Sequence, residues 1–269
     1  MNSSELRGYL TGLIFGDGFI DKGVTKRAFV IRSINRDFID EIKNNLESCN
    51  SFQITIRNSP AHYSGGSNHK ESWELRIKAH PYFAKKYHHF YDDFRNRVAS
   101  KESLEWLTPW GLANWYMSDG YVCLVGKTKG FIRDRRIDIC TDRYSKATVE
   151  SMCVMLKKKF NLDTSIIKRN DTYRIRIKQP SYNDFIKMIA PYIVDGLRYK
   201  LFLGYETQPY WMDDEVWAIQ REIIKRGYPQ LEGLGIRDSL ESFGGSTRPK
   251  NPSPQAGLAC LDRSICLSL

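Results

Sequence analysis

Several classes of protein are excluded by what this sequence lacks. Its six cysteines, Cys49, Cys123, Cys140, Cys153, Cys260 and Cys266, form no Cys-x-x-Cys pair and no metal-ligand spacing, which argues against a structural zinc site and for free thiols. The histidines all fall between His62 and His89 without a helical His-Glu-x-x-His arrangement, so zinc-hydrolase chemistry of that kind is excluded. The most apolar early stretch, Tyr9 to Ile20, is broken by Gly12, Gly16, Asp17 and Gly18 and falls short of the roughly 18–20 residues that span a bilayer. No membrane partner is expected. Met1-Asn2-Ser3-Ser4-Glu5 lacks the basic start and unbroken apolar segment of a secretory signal, so an intracellular protein, not a secreted one, is expected.

Negative charge is scarce too. Against 41 Lys+Arg stand 31 Asp+Glu, for a net charge of +10 over 269 residues. A basic excess of this kind favours a polyanionic partner, nucleic acid above all, over a merely solubilising surface. A hydrophobic share of 41% suffices for a core in each of two units.

What is present is a repeat. Leu10-Thr11-Gly12-Leu13-Ile14-Phe15-Gly16-Asp17-Gly18 is answered by Leu112-Ala113-Asn114-Trp115-Tyr116-Met117-Ser118-Asp119-Gly120, each an apolar helical run ending in small-Asp-Gly. Ser33-Ile34-Asn35-Arg36 is echoed by Cys140-Thr141-Asp142-Arg143, and Glu74-Leu75-Arg76-Ile77-Lys78 by Tyr173-Arg174-Ile175-Arg176-Ile177-Lys178. Three landmarks recurring at one offset of roughly a hundred residues make two copies of one unit.

Periodicity predicts the same order in both copies. Helices at 4–16 and 109–118 are followed by strands at 19–24 and 27–34, then at 121–127 and 135–142. Second helices are predicted at 36–48 and 145–160, strand pairs at 52–57 and 72–79, then 163–169 and 171–178, and closing helices at 80–97 and 181–194. Asn170-Asp171 reads as a hairpin turn, whereas Asn58 to Glu71, with Gly65-Gly66, reads as a flexible loop. The expected boundaries are a first unit over 1–97, a linker over 98–108, a second unit over 109–205 and a helical extension over 206–229. Residues 230–269, rich in Gly, Pro and Ser, are expected to be a disordered tail.

Two small-Asp-Gly helices inside a doubled helix-strand-strand-helix-strand-strand-helix order resemble the LAGLIDADG homing endonuclease family, over about residues 4–205. Phe15 and Trp115-Tyr116 depart from the family's letters, but the small residues and both acids are kept. The resemblance implies an α+β fold: two tandem αββαββα units related by a pseudo-two-fold axis, each with a curved antiparallel sheet. Gly12 and Gly16 share one helix face, as do Asn114 and Ser118 in the second copy, so that face permits a close crossing.

In the family the two helices pack on that axis and bring their terminal acids together. Asp17 and Asp119 are therefore the expected catalytic and metal-binding pair, with backbone carbonyls near Gly16 and Ser118 completing the coordination. Hard oxygen ligands suit Mg²⁺ (or Mn²⁺), which lowers the pKa of a bound water for attack on phosphorus. A lone Asp-Gly is ordinarily a turn; two at matched places point to the metal. Family members also carry a basic residue near each acid. Lys200 stands where the second unit's is expected and Arg97 is the nearest counterpart in the first, each alternatively a solvated surface charge.

Strand alternation puts Arg174, Arg176 and Lys178 on one face and Ile175 and Ile177 on the other, with Arg76 and Lys78 matching them in the first unit. Arg57 and Lys168 extend the basic set, and Arg27, Arg32, Arg133 and Arg135 are further candidates. Such a face suits the major groove of double-stranded DNA, though an exposed solubilising face is the alternative.

The expected activity is a metal-dependent double-strand break in a long pseudo-palindromic DNA site, made by a monomer with internal pseudo-symmetry. It would act wherever its DNA lies, in cytoplasm, nucleoid or organelle matrix. An intron RNA maturase, which needs the basic sheets but not the acids, and a non-catalytic DNA-binding regulator are the alternatives on this scaffold.

Overall fold

Helix α1 (Ser3–Phe15) starts on a capping box: the Asn2 side chain accepts from the Ser4 and Glu5 amides, and Glu5 accepts from the Asn2 amide, satisfying donors that a helix start leaves orphaned. The computed structural model of the chain describes residues 1–21, 27–49, 52–64, 67–128, 131–205 and 207–234. After α1 come β1 (Phe19–Ile20), β2 (Arg27–Ser33), α2 (Arg36–Glu47), β3 (Ile54–Ser59), β4 (His62–Ser64), β5 (Ser67–His69), β6 (Ser72–His80) and α3 (Pro81–Lys86). A helix α4 (Lys101–Trp106) precedes the second copy: α5 (Pro109–Asp119), β7 (Gly120–Thr128), β8 (Phe131–Cys140), α6 (Lys146–Phe160), β9 (Thr164–Arg169), β10 (Thr172–Ile177) and α7 (Tyr182–Ile189). Helix α8 (Asp214–Arg226) follows.

The doubling is visible in the sheets. One four-stranded antiparallel sheet runs β1-β2-β6-β3 and the other β7-β8-β10-β9. In each, alternate residues of the central strands are buried: Leu75 and Ile77 on β6, Ile137 and Ile139 on β8, Ile175 and Ile177 on β10. They meet the apolar stripes of α2 (Ile39, Ile42, Leu46) and α6 (Val149, Met152, Leu156). Burying each such side chain contributes about 1.5–3 kcal/mol. One apolar cluster runs from the first sheet through α1 and α5 to the second.

Four local expectations are corrected. The segment between Asn58 and Glu71 is no plain loop, because β4 and β5 pair within it, Ser64 opposite Ser67; a Gly-Gly pair between two short runs was the available hairpin signal. The closing helices are shorter than predicted, ending at Lys86 and Ile189 and continuing as 3-10 turns over Tyr87–His89 and Ala190–Tyr192; Pro191 cannot supply the amide that would continue the second. The linker carries α4, capped by Ser100. Residues 230–234, assigned to the tail, fall within a 3-10 helix, Pro229–Leu234, while 235–269 lie outside the described residues. Asn170 at the β9–β10 turn takes a left-handed conformation, φ 52, which Asn tolerates.

Candidate catalytic centre and nucleic-acid face

Helices α1 and α5 cross on their small residues. A Cβ added at Gly12 would collide with the carbonyl of Gly111, and one at Gly16 would lie 2.5 Å from Ser118 Cβ. Gly8 sits equally close to Trp106 and Thr108. Asn114, buried at the crossing, donates from Nδ2 to Tyr9 O at 3.4 Å. Of the interface residues expected, Gly16 and Ser118 face each other, whereas Gly12 faces Gly111. Gly8 and Gly111 were missed; the spacing Gly8-Gly12-Gly16 on one face was the signal for the first.

Because Gly16 touches Ser118, the next residues, Asp17 and Asp119, come together at the seam. Asp17 stands just past the end of α1 and Asp119 is the last residue of α5. Burial, and then the negative charge of Asp17, push the Asp119 carboxyl up to about 8, against the pull of Arg143, Arg97 and Lys200. Burial likewise raises Asp17, opposed by the same three cations. Two carboxylates held this close in a poorly hydrated place repel each other unless a cation or a proton intervenes.

The two basic residues do not reach out to solvent. Arg97 donates to Ile14 O at 2.6 Å, Gly16 O at 2.9 Å and Gly18 O at 2.7 Å. Lys200 Nζ donates to Met117 O at 2.6 Å and Ser118 O at 3.5 Å. Each cation thus covers the carbonyl end of one crossing helix, where the helix dipole favours positive charge. The matched contacts with Gly16 and Ser118 make Arg97 and Lys200 counterparts. Sequence reading missed Arg143, whose Nη2 lies 3.5 Å from Asp17 Oδ1; its place in the repeated Cys140-to-Arg143 landmark was the available signal. Its first-half equivalent, Arg36, turns away to Asp40 at 2.7 Å.

The basic sheet face needs more correction. It is laced with acids. Arg174 is 6% exposed and pairs bidentately with Asp142, at 2.6 and 2.9 Å, and Arg176 does so with Asp138, at 2.7 and 2.9 Å. Arg32 pairs with Glu74 at 2.6 Å, and Arg76 reaches Asp21 and Glu74 at 3.5 and 3.6 Å. Three of the expected residues turn away from that face, Arg135 and Lys168 by strand parity and Arg27, beside a register shift in β2, by its stacking partner. Arg135 shares alternation with buried Ile137 and Ile139, donates to Gly204 O at 3.0 Å and stacks over Tyr205. Lys168 shares alternation with Ile166, which stands opposite Ile175. Arg27 lies 3.3 Å over the ring of Tyr87, beyond α3.

Arg136 and Arg169, not singled out from sequence, take the outward parity in β8 and β9, in the registers of Asp138 and Arg174. Arg57 stands opposite Glu74, and Arg57, Lys78 and Lys178 are exposed. The side chain of Arg133 lies outside the described residues.

A chain that builds one α+β unit twice, and brings one acid from each half to a shared pair of crossing helices, is a pseudo-symmetric two-acid scaffold with a sheet on either side. This chain belongs to the LAGLIDADG DNA endonuclease family, whose model matches residues 7–185. It is 25% identical over 197 residues to the probable intron-encoded endonuclease 1 of Wickerhamomyces canadensis, covering 72% of this chain and 83% of that one. With the cytochrome b mRNA maturase bI2 of Saccharomyces cerevisiae it shares 31% identity over 108 residues, 39% of this chain and 23% of that one. Its fold is that of the solved homing endonuclease I-WcaI bound to its DNA recognition sequence, with TM-score 0.64 at 22% identity over 76% of this chain and 88% of that one. Among the described residues no helix is long and apolar enough to cross a membrane.

Proposed function

We propose that this chain is a homing endonuclease that makes a divalent-metal-dependent double-strand break in a long, pseudo-palindromic DNA site. The observation that carries the reading is the meeting of Asp17 and Asp119 at the end of a glycine-lined crossing.

The donor set fits a hard divalent ion. Two carboxylates raised by burial and, at Asp119, by the partner acid gain from a cation between them. Among the described residues no third His, Cys, Asp or Glu joins them, which suits Mg²⁺ (or Mn²⁺), since Mg²⁺ takes one or two carboxylates and keeps several waters. Asp17 and Asp119 would hold it, with the carbonyls of Gly16 and Ser118, each with a second lone pair beyond the one its cation uses. When bound, the ion supplies Lewis acidity at the scissile phosphate.

The chain's own residues do the rest. Arg97 and Lys200 hold the two helix ends in register and offset the negative charge gathered there. Arg143, 46% exposed, is placed to meet a phosphate beside Asp17. Exposed Arg57, Lys78 and Lys178 grip the duplex. One chain carries both acids, so a monomer suffices.

Wild-type protein, given Mg²⁺ and a plasmid bearing a site it selects from a randomised DNA library, should convert supercoiled circles to linear molecules. Selection of a site that is bound but never cut would favour the regulator and overturn the nuclease. Retention of both acids favours the cutter. The partial likeness to an mRNA maturase supports a second reading, intron RNA binding, which filter binding to structured intron RNA, against a double-stranded DNA competitor, would test.

A further inference from the structure

Lys200 owes its place to a segment that no sheet holds. It lies in the 3-10 turns Asp195–Leu201, past β10 and past the span matched by the family model. Its carbonyl accepts from the buried hydroxyl of Tyr116 on α5, at 2.7 Å. Just beyond it, Leu201 and Leu203 are 1% and 0% exposed, so water cannot satisfy their backbone groups, and an unmet buried group costs about 1–3 kcal/mol.

Gln220 on α8 satisfies both. Itself 0% exposed, it donates from Nε2 to Leu201 O at 3.0 Å and accepts from the Leu203 amide at 2.7 Å. Two ion pairs tie the same turn to the same helix: Arg198 with Glu222 at 3.1 Å, and Asp195 with Arg226 at 3.0 Å. The first half is built differently, with Arg97 bridging backbone to backbone with Tyr91 and Tyr144.

A buried glutamine that only filled space could be replaced by leucine at no polar cost. This one binds Leu201, the residue after Lys200, and Leu203 two further on. We propose that Gln220 is a positioning residue for Lys200, and that α8 is a brace serving one half of the catalytic centre and one of the two strand cuts. The proposal rests on the reading of Lys200 as part of that centre.

The test follows each strand separately on an end-labelled duplex carrying the library-selected site, using full-length Gln220→Leu, Lys200→Met and, as a packing control on the same helix, Ile223→Val. Gln220→Leu should slow the strand that Lys200→Met slows by about tenfold or more, since misplacement by an ångström costs up to a hundredfold, and leave the other within about twofold, so nicked product accumulates. Amide exchange of the DNA-free, metal-free protein should quicken over 197–203 in Gln220→Leu and stay unchanged over 109–119. Equal slowing of both strands, or the pattern of Ile223→Val, overturns the brace. A Lys200→Met protein that cuts both strands normally overturns the Lys200 reading and the brace with it. If no site is selected, the nuclease reading fails, and the exchange measurement alone decides whether Gln220 holds the segment.

Discussion

Gly16 and Ser118 stand so close that a Cβ on the glycine would lie 2.5 Å from the Cβ of the serine and 2.6 Å from its Oγ. That contact puts Asp17 beside Asp119, and the separation of the acids depends on it. Gly16→Ala should destabilise the protein by about 1–3 kcal/mol, as overpacking does, and reduce cutting. Ser118→Gly in the same chain should recover much of both losses, a coupling that a double-mutant cycle of thermal unfolding and cleavage measures. Additive losses would mean the two residues do not share the contact.

Removing either acid should stop both cuts. Asp17→Asn and Asp119→Asn keep shape and lose the charge that holds the ion, so cleavage should fall by about a thousandfold, several kcal/mol of barrier. DNA affinity in Ca²⁺ should stay within about threefold, because the basic residues proposed to grip phosphates, on the sheets and at Arg143, are unchanged. Full double-strand cutting by either variant refutes the metal assignment.

Basic residues on the sheets should divide into two groups. Arg57→Ala and Lys78→Ala, at exposed positions, should weaken DNA binding and each flatten the salt dependence by about 0.9 in the slope of log K against log salt. Arg174→Met should leave that slope alone and lower stability by about 2 kcal/mol, because Asp142 loses a bidentate partner in a half-buried place. A reduced salt slope in Arg174→Met would mean that the Asp142 pair opens to DNA.

Stability should depend on pH through Asp119. Its carboxyl is raised by burial and by Asp17 from 3.8 to about 8, so between those values the folded protein binds more protons than the unfolded chain. Stability without divalent ions should therefore fall as pH rises through that window. Mg²⁺, which replaces the proton, should raise the unfolding temperature more at pH 8 than at pH 5. Asp119→Asn should flatten both trends. Asp142, lowered by the hydrogen bond and charge of Arg174 against its burial, acts oppositely and only in acid: its contribution is lost as pH falls below about 4. Thermal scans from about pH 2 to pH 9, with and without MgCl₂, measure all of this.

The amino-acid sequence by itself determined the doubled topology, the two crossing helices and the identity of the acids. These features are local or periodic: a small-residue face repeats every turn, a buried strand alternates, and a cap precedes its helix. It could not assign the sheet residues, because alternation gives two faces and only pairing tells which faces the helices. Arg135 and Lys168 went to the wrong side for that reason, although Ile137 and Ile139 carried the parity of β8.

The tertiary structure alone decided how charge is spent. Arg174 and Arg176 meet acids on neighbouring strands or loops, Arg97 and Lys200 close helix ends far from them in the chain, and Gln220 reaches across to Leu201 and Leu203. Electrostatic and hydrogen-bond partners are chosen by distance in space, which falls off within a few ångströms and leaves no mark on spacing along the chain.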